Sequence, residues 1–410
     1  MIKFLFLGLL CLDLGYKILK FVLSASQKKK PLPDNVSHIY NADDYAKWRA
    51  YTAEHGRIRL FSMAAAFVID VILFGTNLYS AVYYAMPGGV YLKSILVVLL
   101  YTAVMTVISL PFEYISDLKI EEKYGFNKST VKTFVSDEIK SFLVNLILSV
   151  GLLCIVIALY HAFGGWFVFG VYAVLALFIV VFSMLNMTFQ KLFNKFTPLE
   201  DGELRDRLVE MFRRSGYQLE DIFVMDASRR TTKVNAFCTG LGKFKKIVLY
   251  DNLVNNYTPG EIVAVFAHEL AHYKHKDTAK NTVYSLFMMG CITALIAAFI
   301  LVPEISYAYG FEEVNVMFAL QASMSSITSF VMTLIMAPQS VLGRRYEYRA
   351  DAMAVEAGYG SDMISALTKL SKDNLSDLNP HPFIVAMEHS HPTISQRFTA
   401  IEKKMKECGQ

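Results

Sequence analysis

The sequence predicts an all-α, multi-span membrane protein with about seven transmembrane helices and a cytoplasmic domain containing a small β element. Three observations carry this expectation. Hydrophobic residues make up 54% of the chain and charged residues 19%, whereas soluble domains are about a quarter charged. The apolar residues gather into runs of the roughly 20 residues that a helix needs to cross a bilayer. The connections between these runs alternate between rich and poor in Lys and Arg, as membrane orientation requires.

The first run, Phe4 to Ser24, has the length of a signal peptide. It contains Asp13 and Lys17 and lacks a small-residue cleavage site before Lys28-Lys29-Lys30, so it reads as a retained span. Further spans are expected from Leu60 to Val82, Leu92 to Phe112, Phe142 to Phe163 and Trp166 to Met187, the last two separated by Gly164-Gly165. After a long polar interval come Val283 to Val302 and Met317 to Ile335. Lys and Arg concentrate after the first, third, fifth and seventh spans. The even-numbered connections are almost without them. The positive-inside rule then puts the N-terminus outside and the tail in the cytoplasm.

This divides the chain into a membrane region over 1–190, a polar segment over 191–282, two spans over 283–340 and a tail over 341–410. Within the polar segment, Lys246 to Tyr250 reads as a strand, with Ala236 to Gly240 as its partner. Glu261 to His275, Arg345 to Glu356 and Ile394 to Lys406 read as helices. Net charge is only +4, and no basic cluster carries interleaved aromatics. The expected environment is the lipid bilayer, with no nucleic-acid partner. The five cysteines include no CxxC pair, which argues against a disulfide framework or a cysteine metal site.

The chemistry lies in His268-Glu269-Leu270-Ala271-His272, an HExxH sequence. Histidines at i and i+4 leave one face of a helix and can reach one zinc ion. Glu269 is rotated by about 100° from His268, which suits it to hold and deprotonate an attacking water. Two histidines leave a catalytic zinc one protein ligand short. Glu347 and Asp351, i and i+4 on the helix after the seventh span, are the candidates. One of them can bind the metal while the other orients a ligating imidazole. His275 is a rival by reach. A transporter or receptor with a structural zinc is the competing class, although such a site needs no glutamate in the second HExxH position.

HExxH, Asn281 thirteen residues after His268, and Tyr346-Glu347-Tyr348-Arg349-Ala350-Asp351 together resemble the type I CAAX prenyl proteases, integral-membrane zinc enzymes. Tyr124 to Thr130, Asn194 to Leu199, Asn235-Ala236, Lys245 to Asp251, and Ser390-His391-Pro392-Thr393 with Arg397 fit the same family in matching order. The resemblance implies that Glu347 is the third zinc ligand, with Asp351, Asn281 and Arg397 supporting the ligands. It implies that His391 stabilises an oxyanion and that Asn235 and Ala236 lie on an edge strand that takes an extended substrate. It assigns no ligand role to His275. It further implies seven helices around a chamber, a zincin-like site on the cytoplasmic side, and a protein or peptide substrate, prenylated in that family. Asp70, Asn77, Glu113 and Asn145 would face the chamber or bond between helices.

The chain is short for that family, and the loop between the sixth and seventh spans is short as well. These features suit a bacterial inner-membrane protein or another compact member; a eukaryotic one would sit in the endoplasmic reticulum. A quality-control protease acting on unprenylated membrane proteins is the alternative within the same chemistry.

Overall fold

In a bilayer the backbone must satisfy its own hydrogen bonds, so apolar runs of this length become helices. The computed structural model describes residues 1–191, 193–239 and 244–410, with side chains outside 182–190, 218–220, 238–245 and 326–330. The N-terminal half comprises α1 (Ile2–Gln27), α2 (Ala42–Gly75), α3 (Leu78–Ala85) and α4 (Val90–Glu113). A π-helical turn (Tyr114–Ile120) leads into α5 (Glu121–Lys123), followed by α6 (Val131–Phe163) and α7 (Phe167–Gln190). Then come β1 (Phe196–Pro198), α8 (Glu203–Arg214), β2 (Gln218–Met225), β3 (Ala236–Thr239), β4 (Phe244–Tyr250), α9 (Asp251–Asn256) and α10 (Pro259–Lys274). The chain closes with α11 (Asp277–Ile300), α12 (Pro303–Ala308), α13 (Val316–Glu356), α14 (Gly360–Asp373), α15 (Pro382–Glu388) and α16 (Ile394–Cys408).

Six of the seven predicted spans fall on α1, α4, α6, α7, α11 and α13; the second, Leu60 to Val82, is cut short, since α2 ends at Gly75 and its last residues lie across a break at Thr76-Asn77 in α3. Among the described residues, four helical runs are long and apolar enough to cross a membrane: Ala42–Gly75, Val90–Lys123, Val131–Val181 and Asp277–Ile300. The third run is the α6–α7 hairpin, turning at Gly164 with φ +53°. Charged Asp13, Lys17 and Lys20 interrupt the apolarity of α1. Only 6%, 6%, 17% and 22% of the apolar windows of the four runs are buried. Much of each span's surface therefore faces away from the rest of the chain. The spans meet mainly in an aromatic cluster of Phe6, Phe74, Tyr309 and Phe318, where Tyr309 donates to the Phe74 carbonyl at 3.0 Å. Asn77 joins helices rather than standing alone, accepting from Lys3 at 2.5 Å.

α13 has 41 residues, or about 60 Å at 1.5 Å per residue, twice the thickness of a bilayer core. The predicted seventh span and the helix bearing Glu347 are thus one continuous rod. Pro338 removes one backbone donor inside it, and Tyr284 of α11 donates to the Ile335 carbonyl on the preceding turn at 2.6 Å.

The β element is larger than expected, a four-stranded sheet in the order β1-β2-β4-β3. The predicted partner strand pairs antiparallel with β4, Ala236 opposite Leu249, and lies at the edge; Gly240 lies outside the described residues. β2, unforeseen, runs parallel to β4 with Ile222 opposite Ile247. α10 packs against this sheet through Val263, Phe266, Ala267 and Leu270, together with Leu208 and Phe212 of α8. Its other side, at Ala264, meets Val355, Met363 and Phe398. Apolar residues all round a helix mark it as a core element. The histidines it carries are therefore held on a fixed axis.

Candidate active site

α10 begins with a capping box. Thr258 accepts from the Glu261 amide and Glu261 returns the bond to the Thr258 amide. Glu261 also accepts from Ser365 at 2.6 Å and Lys369 at 2.8 Å, which fixes the start of the helix two turns before His268. Pro259 occupies the first turn, where its missing N–H costs nothing. The helix thus starts slightly earlier than the sequence suggested.

α13 crosses α10 and brings Glu347 to the two histidines. His268 Nε2 lies 3.2 Å from His272 Nε2, and Glu347 places Oε2 3.3 Å from the first and Oε1 3.2 Å from the second. A tetrahedral zinc with ligands at about 2.0–2.1 Å has edges of about 3.3–3.4 Å, so the Nε2–Nε2 separation and each nitrogen-to-carboxylate distance match an edge, with the carboxylate straddling the two imidazoles. Tautomers strengthen the fit. His268 Nδ1 donates to Asp351 at 2.8 Å and His272 Nδ1 donates to Asp277 at 3.1 Å. In the neutral tautomers that these two bonds select, both Nε2 atoms turn lone pairs towards each other and towards a carboxylate. Glu347 Oε2 is buried and accepts no well-formed hydrogen bond, although His391 Nδ1 lies 2.9 Å away. Such a donor set is repulsive until a cation joins it.

The charges agree. Glu347, Asp351 and the half-buried Glu269 act on the buried guanidinium of Arg397, leaving two negative charges for a divalent cation to balance. Burial alone would lower the pKa of His268, but Asp351 and Glu347 outweigh it and raise it, so this point of the site favours a positive charge, which a bound cation would supply in place of the ring proton. Burial works to raise the pKa of Glu347, yet His268, His272 and His391 hold it well below the carboxylate range.

Each imidazole of the pair is backed by an aspartate, and each aspartate by an arginine. Arg397 grips Asp351 through Nε at 2.9 Å and Nη2 at 2.6 Å. Arg349 reaches both oxygens of Asp277, at 2.5 and 2.6 Å. The second of these relays is absent from the sequence-based expectations. It depends on the turn between α10 and α11, where Lys276 adopts a left-handed conformation (φ 57°) and swings Asp277 back under His272. A non-glycine residue there costs about 1–2 kcal/mol, and that cost marked the position only once the backbone was known.

The remaining predicted residues divide. His391 is brought to Glu347 with its side chain 64% exposed, open to an incoming group. Asn281 is half-buried one turn beyond Asp277, with no hydrogen bond to the three candidate ligands among the described residues. Ala236 begins the edge strand β3, and the exposed Asn235 precedes it, its carbonyl accepting from the Tyr250 amide at 3.1 Å. His275 is the C-cap of α10 and no part of the triad. His381, not singled out by the sequence, stands at the start of α15. Its ring accepts from the Phe383 amide and caps α15.

A multi-pass helical body with His268, His272 and Glu347 converging beside a free carboxylate defines an integral-membrane metalloendopeptidase. Comparison with known proteins agrees. Residues 198–405 match Peptidase family M48, and residues 22–195 match the CAAX prenyl protease N-terminal region, described as five membrane helices. The chain belongs to peptidase family M48. It is 30% identical over 399 residues to a CAAX prenyl protease 1 homolog of Oryza sativa subsp. japonica, covering 92% of this chain and 91% of that protein. CAAX prenyl protease 1 of Saccharomyces cerevisiae is 32% identical over 328 residues, covering 74% and 70%. The crystal structure of S. mikatae Ste24p superposes with a TM-score of 0.91 at 25% identity, covering 98% of this chain and 99% of that one. The membership sets aside a transporter or receptor with a structural zinc.

Proposed function

We propose that the chain is a zinc endopeptidase that cleaves membrane-associated proteins near a C-terminus, with prenylated CAAX-type substrates as the first class to test. The convergence of two Nε2 lone pairs and the Glu347 carboxylate on one point carries the reading. The metal would be held by His268, His272 and Glu347, a borderline donor set that suits zinc. What zinc supplies in such a site is Lewis acidity towards a carbonyl and a water of lowered pKa.

The protein's own groups do the rest. Glu269, one position from His268 and not among the ligands, takes the proton of the attacking water and returns it to the leaving amine. His391, exposed beside Glu347, donates to the carbonyl oxygen as it becomes negative. Asp351 with Arg397, and Asp277 with Arg349, fix the imidazole tautomers. The edge of β3, starting at Asn235 and Ala236, pairs with a substrate backbone in extended form. Span surface turned away from the rest of the chain supports a chamber in which the substrate's apolar part lies, and basic loops support a cytoplasmic site. Relatives named as CAAX prenyl proteases favour this reading over membrane-protein quality control.

The test is cleavage of a farnesylated CAAX peptide and its unprenylated twin by purified protein in detergent. The wild type should cut the farnesylated peptide faster, and Glu269→Ala should cut neither. Equal rates on both peptides would remove the prenyl requirement. Equal activity of Glu269→Ala would remove the mechanism.

A further inference from the structure

His391 stands on the short link between α15 and α16, exposed, and yet must be held within hydrogen-bond distance of one point. α16 fixes one end through the Thr393–Gln396 capping box. The other end is α15, which has seven residues, too few to be stable without tertiary support. Three contacts supply it. Arg344 of α13 donates to the carbonyls of Val385 at 2.7 Å, His389 at 2.6 Å and Ala386 at 3.2 Å. It thereby satisfies the negative C-terminal end of α15 with a cation. Gly343 lets the link lie directly on α13, since a Cβ there would meet the Ser390 carbonyl oxygen at 2.8 Å. From the first span, Tyr16 and Lys20 donate to Glu388 at 3.0 and 2.7 Å. A second tie runs from α1 to the segment entering α15, Gln27 to Asn379 at 3.0 Å, while Asn379 donates to the Pro31 carbonyl at 2.9 Å.

The geometry points to a clamp in which Arg344 and Gly343, backed by the first membrane helix, act as positioning residues for His391. The inference rests on the reading of His391 given above. It makes α1, far from the HExxH sequence, a part of the catalytic apparatus. Arg344 is the dominant member. Its three bonds to carbonyls are charge-assisted, and those to Val385 and His389 are partly buried, whereas the Lys20–Glu388 pair is about 30% exposed on both sides and contributes little by itself.

The experiment uses the full chain in detergent and whichever CAAX peptide the wild type cleaves. His391→Ala should lower kcat about 100-fold, as loss of an oxyanion donor does. Arg344→Ala and Gly343→Ala should lower kcat about 10-fold or more through misplacement, with KM and metal content unchanged. Glu388→Gln should cost only about 2- to 5-fold. Arg344→Lys, which keeps the charge but not the fork, should recover part of the loss, and it carries the test should Arg344→Ala fail to fold. The double variant Arg344→Ala/His391→Ala should be no slower than His391→Ala. Hydrogen exchange across residues 383–393 should accelerate in Arg344→Ala while that of α10 stays unchanged. An additive loss in the double variant, or unaltered exchange across 383–393, overturns the clamp. A His391→Ala chain with wild-type kcat overturns the reading of His391 instead, and with it the clamp's catalytic purpose.

Discussion

Asp277 offers the sharpest test of how the proposed metal site is built. Its carboxylate accepts from His272 Nδ1 at 3.1 Å and from Arg349 at 2.5 and 2.6 Å, and it is buried. Asp277→Ala frees the imidazole to rotate or change tautomer and leaves the Arg349 guanidinium without its carboxylate. Losing such a support typically costs about 10- to 100-fold in metal affinity, or about 1.4–2.7 kcal/mol. Asp277→Asn keeps one oxygen for either His272 or Arg349, so its loss should sit near the lower end and the alanine near the upper. Competition against a chelator of known zinc affinity measures this directly, on folded protein checked by its circular dichroism. If both variants held zinc as tightly as the wild type, the Arg349–Asp277–His272 relay would play no part in holding the metal.

Three further outcomes follow from the same geometry. Glu269→Gln should keep its zinc and lose about 100- to 10,000-fold in kcat, the range for a general base, measured by metal analysis beside peptide cleavage. Arg397→Met should lower the melting temperature severely, because Asp351 is left charged and buried, a change worth about 3–5 kcal/mol. Glu261 gives a pH signature. Burial opposes its charge, but Lys369, Ser365 and the Thr258 amide outweigh burial and lower its pKa. Its stabilising effect is therefore complete above the usual carboxylate pKa of about 4.3 and fades as pH falls below it. The melting-temperature gap between wild type and Glu261→Gln should hold between pH 6 and about 5 and shrink on acidification from about 4.5 to about 3.

The sequence made some of this legible because its signals were periodic or local. His268 and His272 are four residues apart on an apolar helix, and that spacing alone brings their Nε2 atoms together. Glu347 and Asp351 were legible as a pair; the resemblance to a known family chose between them, and the structure sets Glu347 at the imidazoles with Asp351 behind His268. The sheet was half visible. β4 is a plain Ile-Val-Leu run, whereas Glu220 and Asp221 interrupt β2 and hid it. Asp277 escaped because its role depends on one left-handed residue, Lys276, that no pattern announces. Arg344 escaped because its partners are backbone carbonyls, which every residue has. Interactions between side chain and main chain leave no trace in residue identity at the acceptor.

The most direct test of the central claim is zinc content together with X-ray absorption at the zinc edge, on wild type, His268→Ala, His272→Ala and Glu269→Gln. The account predicts about one zinc per chain with two imidazoles and a carboxylate in the wild type. It predicts the same signal with no cleavage in Glu269→Gln, and loss of the metal in both histidine variants. A wild-type enzyme that cleaves peptide without zinc, or histidine variants that keep both metal and first-coordination signal, would contradict it.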